Sequence, residues 1–124
     1  MKIKTAELSG AALDWTVAKC EGKNGVLHDD GITRCIVVAA PPGVYKGIWC
    51  PTVNWAQGGP IIEREAHNLF KHNGGTEWCC ACNTPRDGYT AIITADGPTP
   101  LTAAMRCYVA SRLGDEVEIP EELT

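Results

Sequence analysis

No stretch of this 124-residue chain is apolar for long enough to span a bilayer. The longest uninterrupted apolar run, Cys35 to Ala40, falls far short of the ~20 residues a membrane helix needs. The amino-terminal MKIKTAELSG has no apolar signal core either, which predicts a cytoplasmic protein without a membrane partner. Nowhere do three Lys or Arg stand together. Phosphate-dominated binding needs a clustered basic face, so the sequence argues against direct nucleic-acid binding. Also missing are a Gly-x4-Gly-Lys phosphate loop, a Gly-x-Ser-x-Gly nucleophile turn and a Cys-His nucleophile signature. Glu63 and Glu65 are two residues apart and diverge on a helix, so local geometry does not make them an acid-base pair. No catalytic residue and no cofactor is assigned, and the reading leans away from an enzyme.

What is present fits one globular domain over residues 1–124, with 44% apolar and 21% charged residues. The net charge of -4 is unevenly placed: DEVEIPEELT, residues 115–124, carries five of the fifteen acids and no base, and reads as a solvated acidic tail, with partner docking as its sharper alternative. Seven cysteines are many for the length, but the number is odd and the expected compartment is reducing, which argues against a disulfide framework. His67, His72, Cys79 and Cys82 are ligand types that zinc accepts. Against this, EWCCAC alternates like a strand, which sends Cys79 and Cys82 to opposite faces and groups Trp78, Cys80 and Cys82 on one. A redox role for Cys79-x-x-Cys82 lacks the following helix that would lower a thiol pKa. The cysteines are therefore read as buried thiols, no metal ligand is assigned, and whether Cys79, Cys80 and Cys82 hold a metal stays open.

Along the chain, Ser9 as cap, Leu8 and Leu13 as a staple, and Leu13, Val17 and Cys20 at helical spacing predict a helix over 9–20. Strands follow near 25–28 and 33–38 around the hairpin signal Asp30-Gly31. Pro41-Pro42-Gly43 ends the second, and Tyr45 to Trp49 suggests a third. A helical segment within 53–66 either starts at Pro60 or runs irregularly through Gly58-Gly59-Pro60 from an Asn54 cap. HNLFKHNGG turns loop-like at its end, and EWCCAC and YTAIITA read as strands joined by a loop over Asn83 to Gly88. The last helix is the plainest, with Thr99 as cap, Pro100 first, Leu101, Met105, Val109 and Leu113 in a ladder, and Gly114 as stop. Strands arriving in adjacent pairs predict an α+β fold, a small antiparallel sheet with helices packed on one face as a two-layer sandwich.

The block from Tyr45 to Glu65 holds the parts of a small-molecule pocket. Trp49 and Trp55 offer flat rings, Asn54 and Gln57 amides, Gly58 and Gly59 bare backbone near a helix start, and Arg64 an anion fork. Arg106 and Tyr108 on the last helix complete the candidate ligand set. Residue types alone tilt slightly toward the plainer alternative of two core tryptophans and an ordinary turn.

Three segments, MKIKTAELSGAALDWTVAKCEG, NWAQGGPIIERE and GPTPLTAAMRCYVASRLGDEVEIP, closely resemble the NinX-like proteins of lambdoid phages, a small family without an assigned activity. They cover about half of the chain in conserved order. The resemblance implies a phage or prophage origin and a bacterial cytoplasm, and no mechanism. Where the relatives often have Asp this chain has Asn54, and their stretch equivalent to 67–97 varies without a cysteine cluster. The expectation is thus a phage accessory protein that binds, without transforming, a nucleotide-derived ligand such as a host immune signal. Pockets shared between subunits would bury such a ligand better, which predicts a homo-oligomer. The alternatives are a protein-interaction module acting on a host or phage replication, recombination or defence protein, and a nucleotide-processing enzyme.

Overall fold

A computed structural model describes residues 1–38, 47–65, 67–71 and 75–124. The expected Pro41-Pro42-Gly43 stop, the Tyr45 end of the third strand, and His72 lie outside the described residues. In chain order the elements are β1 (Lys2–Lys4), a 3-10 turn (Thr5–Glu7), α1 (Gly10–Cys20), β2 (Gly25–Asp29), β3 (Arg34–Val38), β4 (Gly47–Trp49), α2 (Trp55–Arg64), β5 (Asn68–Lys71), β6 (Trp78–Arg86), β7 (Tyr89–Gly97), α3 (Pro100–Leu113) and β8 (Glu116–Glu118). The strands form small antiparallel sheets ordered β2-β3-β4, β5-β6-β7 and β1-β8, so the fold is α+β as predicted, with its strands divided among separate sheets. No helix among the described residues is long and apolar enough to cross a membrane.

The centre of the molecule is α3. Thr99 caps it by accepting from the Thr102 N–H, Pro100 opens it, and Leu101, Ala103, Ala104, Met105, Cys107, Tyr108 and Val109 are all buried. A helix buried over more than one face needs partners on several sides. It finds them in the inner face of β5-β6-β7, in α1 and in α2. On that sheet the period of two puts Leu69, Cys80, Cys82, Ile93 and Ala95 toward α3, while Phe70 and Ile92 face outward and are exposed.

Two expectations change and one unassigned stretch gains a strand. The predicted loop over Asn83 to Gly88 is mostly strand: β6 continues to Arg86, and only Asp87-Gly88 turn the chain, with Gly88 at φ +76°. The start of HNLFKHNGG, to which no element was assigned from sequence, is β5, a short strand that exists by pairing with β6, and most of the end expected to be loop-like lies outside the described residues. The acidic segment is not a free tail: β8 pairs with β1, and Val117, Ile119 and Leu123 enter the core.

Of the two readings of the Gly-Gly-Pro stretch, the continuous helix holds. Asn54 accepts from the Ala56 N–H at 2.9 Å, and α2 runs through Pro60. Ala56 and Pro60 are both exposed, so the backbone carbonyl that loses its donor to proline faces water. Gly58 lies against α3, where a Cβ would come within 2.6 Å of both the Leu101 side chain and the Pro51 carbonyl oxygen. At the base of α2, Trp49 is buried and its indole N–H donates to the Asp14 carbonyl at 3.0 Å. The Thr52 N–H donates to the Asp14 carboxylate at 3.1 Å. Burial outweighs this bond and pushes the Asp14 carboxyl up to about 6.

Gly58→Ala should therefore destabilise by about 1–3 kcal/mol through overpacking, although alanine is the better helix former. Gly59→Ala, whose added carbon meets nothing nearer than the Trp55 ring at 3.9 Å, should be neutral or stabilising in the same urea titration. A raised carboxyl pKa means the folded state holds the Asp14 proton more tightly than the unfolded chain, so stability falls as pH rises from about 4 through about 6. Asp14→Asn should be more stable than the parent at pH 7.5 by about 1–3 kcal/mol, with the advantage gone near pH 4, read as urea midpoints at the two pH values.

Candidate functional site

Five of the nine residues in the pocket predicted from sequence, Trp49, Asn54, Gln57, Gly58 and Arg106, make structural contacts. Trp49 is buried on the Asp14 carbonyl with Lys23 Nζ 5.2 Å above its ring. The Gln57 amide clamps the end of β4, donating to the Ile48 carbonyl at 2.8 Å and accepting from the Cys50 N–H at 2.7 Å. Asn54 is a helix cap and Gly58 a contact with α3. Arg106 ties the turn before α1 to the end of β7, donating to the carbonyls of Leu8 at 2.7 Å and Asp96 at 2.8 Å. Trp55 stands half exposed at the start of α2 with Gly59 one turn on. From Trp55 to Arg64 the helix makes about two and a half turns, which puts the two on opposite sides. The described cavities are lined by none of Trp49, Trp55 and Arg64.

What the fold does bring together is Arg64 and Tyr108, with three residues that spacing gave no reason to select. The Arg64 guanidinium forks the Glu21 carboxylate at 2.9 and 2.7 Å and also donates to Glu65 at 3.1 Å. Arg112 donates to the other Glu65 oxygen at 2.7 Å. Both guanidinium groups lie near the Tyr108 ring, at 5.6 and 5.4 Å from its centre, within cation-π range. The Tyr108 hydroxyl, on a side chain that is almost wholly buried, donates to Glu21 at 2.5 Å.

The charge states follow from these contacts. Hydrogen bonding from Arg64 holds the Glu21 carboxyl below its usual range, with Tyr108 adding to the effect against the cost of burial. At Glu65 burial pushes upward, but the bonds from Arg112 and Arg64 outweigh it. Burial and the neighbouring Glu21 carboxylate raise the Tyr108 phenol, so it stays a neutral donor. Both carboxylates are thus ionised and both arginines charged across the neutral range. Beside them lies a cavity of about 260 Å³ lined by Glu65, Cys82, Asn83, Thr84, Pro85, Ser111 and Arg112. Its lining mixes one cation, one anion and several hydrogen-bonding side chains, parts suited to orienting a polar ligand.

Glu21→Ala should cost about 1–3 kcal/mol, because it strips the buried Tyr108 hydroxyl of its acceptor. Arg64→Ala, which removes a side chain that is half exposed, should cost less than about 1 kcal/mol. Urea unfolding of the two variants side by side reads the order; a larger loss for Arg64→Ala would contradict it.

No curated protein matches this chain. Residues 4–112, from β1 to the last turn of α3, match the family described as Bacteriophage P22, NinX. That span takes in Glu21, Arg64, Glu65, Tyr108 and Arg112, and with nearly the whole fold inside it the chain belongs to the phage NinX family.

Proposed function

We propose that this NinX-family protein acts as a phage accessory protein by binding a small, anionic, nucleotide-derived molecule without transforming it. The observation that carries this reading is the arginine pair around Tyr108. Arg64 and Arg112 keep about half their side-chain surface in solvent, at 49% and 51%; Glu21 fixes the Arg64 fork, Glu65 bonds both arginines, and Arg112 with Glu65 lines a cavity of about 260 Å³. A fixed planar fork loses little freedom when it takes a phosphate, and a phosphate carrying more charge than one carboxylate can compete for it. Asn83, Thr84 and Ser111 line the same cavity and offer hydrogen bonds to sugar or base edges. Trp55 is a further exposed ring on α2, outside this corner.

Binding alone suffices for sequestration, and a phage gains from sequestering a host immune nucleotide in the bacterial cytoplasm. A homo-oligomer joining two such corners would enclose a ligand more fully than one chain does.

A panel of nucleotides that includes cyclic ADP-ribose isomers and cyclic dinucleotides should contain a member that raises the melting temperature. At one hundred times its dissociation constant the stabilisation is about 2.7 kcal/mol. Arg112→Ala should remove the shift while leaving the unliganded melting temperature nearly unchanged. A flat response across the panel, or an undiminished shift in Arg112→Ala, refutes the proposal.

A further inference from the structure

The imidazole of His67 is an anomaly among the described residues. Both of its ring nitrogens are buried and neither has a hydrogen-bond partner. Neutral imidazole carries one N–H donor and one lone pair, and a buried pair of orphaned polar atoms is costly enough that folds rarely keep it without a use. The ring stands just ahead of β5 and shares the parity of Leu69, which turns it toward α3. There it meets two thiols from two other elements, Cys82 on the inner face of β6 and Cys107 on α3. The ligating atoms of His67, Cys82 and Cys107 all lie within 4.8 Å of one another, and the two sulfurs are 3.3 Å apart.

We propose that His67, Cys82 and Cys107 form a zinc site. Two thiolates bound to one zinc at about 2.3 Å and a tetrahedral angle stand a little under 4 Å apart, with an imidazole nitrogen about 2.0 Å from the metal. The observed triangle reaches that arrangement by small side-chain rotations. Nitrogen and sulfur ligands select a borderline-soft cation over magnesium or calcium, which prefer oxygen. On binding, each thiol releases its proton to solvent. The two thiolates then balance the two charges of the metal, so the filled site is neutral inside the core, and one orphaned His67 nitrogen gains a partner. Three protein ligands leave a fourth position open. Cys82 also lines the cavity next to Arg112, so that position is open to water or to a solute donor from that side.

Two plainer uses of the same atoms account for less. A Cys82–Cys107 disulfide would need an oxidant and a sulfur separation of about 2.05 Å, and it would leave both His67 nitrogens as they are. Simple burial of the thiols fits the Cys107 contact with the Ile93 carbonyl at 3.4 Å, yet gives His67 no partner. The ligand set also differs from the His67, His72, Cys79 and Cys82 pattern suggested by spacing. Cys79 lies on the other face of β6, and its place is taken by Cys107, 25 residues beyond Cys82.

The test uses the full chain, purified reduced and without a histidine tag. Elemental analysis should find one zinc per chain. After chelation, titration with Co2+ should give a thiolate-to-cobalt charge-transfer band that saturates at one equivalent and is reversed by zinc. Cys82→Ser and Cys107→Ser should each lose most of that band, His67→Ala should weaken cobalt binding, and Cys79→Ser should keep the full band. Circular dichroism identifies any variant that fails to fold, and the parent titration stands without the variants. The proposal is overturned if the folded, reduced parent gives no band, if the band survives in Cys107→Ser, if iron or copper occupies the site instead, or if thiol counting under denaturing conditions finds five free cysteines rather than seven.

Discussion

The burial of α3 is the constraint from which the other arrangements follow. A helix with Leu101, Ala103, Ala104, Met105, Cys107, Tyr108 and Val109 all out of water cannot lie on one sheet alone. One flank takes the inner face of β5-β6-β7, and another takes α1 and α2. Those two flanks set what the helix carries to its edges. Tyr108 emerges between α1 and α2 and meets Glu21 and Arg64, while Cys107 faces the sheet and meets Cys82.

The polar cluster at the first of these edges is arranged so that each buried group has a charged or hydrogen-bonding neighbour. Tyr108 would be expensive to bury with a free hydroxyl, and Glu21 supplies the acceptor. Glu21 is itself only slightly exposed and is balanced by the Arg64 fork; Glu65, similarly sheltered, is balanced by two arginines. The arginines, half in water, are the members of the network able to exchange partners at low cost.

Local signals in the sequence went far toward the fold. The cap at Thr99, Pro100 at the first position and Gly114 at the end define α3 within a residue, and Asp30-Gly31 marks the first hairpin. Elements that depend on a distant partner left weaker traces. β5 is four residues of mixed character, and β8 is three residues inside an acidic run; each is a strand because another strand lies alongside. Pro85 hid the extension of β6, since proline in a strand ordinarily reads as loop. The site was legible in the same uneven way. Arg64 and Tyr108 were selectable by residue type, but the pairs Glu21–Arg64 and Glu65–Arg112 form only through helix packing, at separations of 43 and 47 residues. Asn54, Gln57 and Gly58 have the chemistry of ligand contacts and are spent on a cap, a clamp and a close approach.

The pairing of β1 with β8 has a consequence for biosynthesis. Thr5 takes its backbone and hydroxyl partner from Asp115, 110 residues further along, and the terminal ammonium meets Glu118 and the Ile119 carbonyl. While the ribosome is still making the chain, Ile3 has no strand to lie against, and the register of the opening strand is settled only after translation has passed Glu118. The opening segment therefore waits as an unpaired edge, and a nascent chain stalled before β8 presents that edge to whatever proteases and chaperones are at hand.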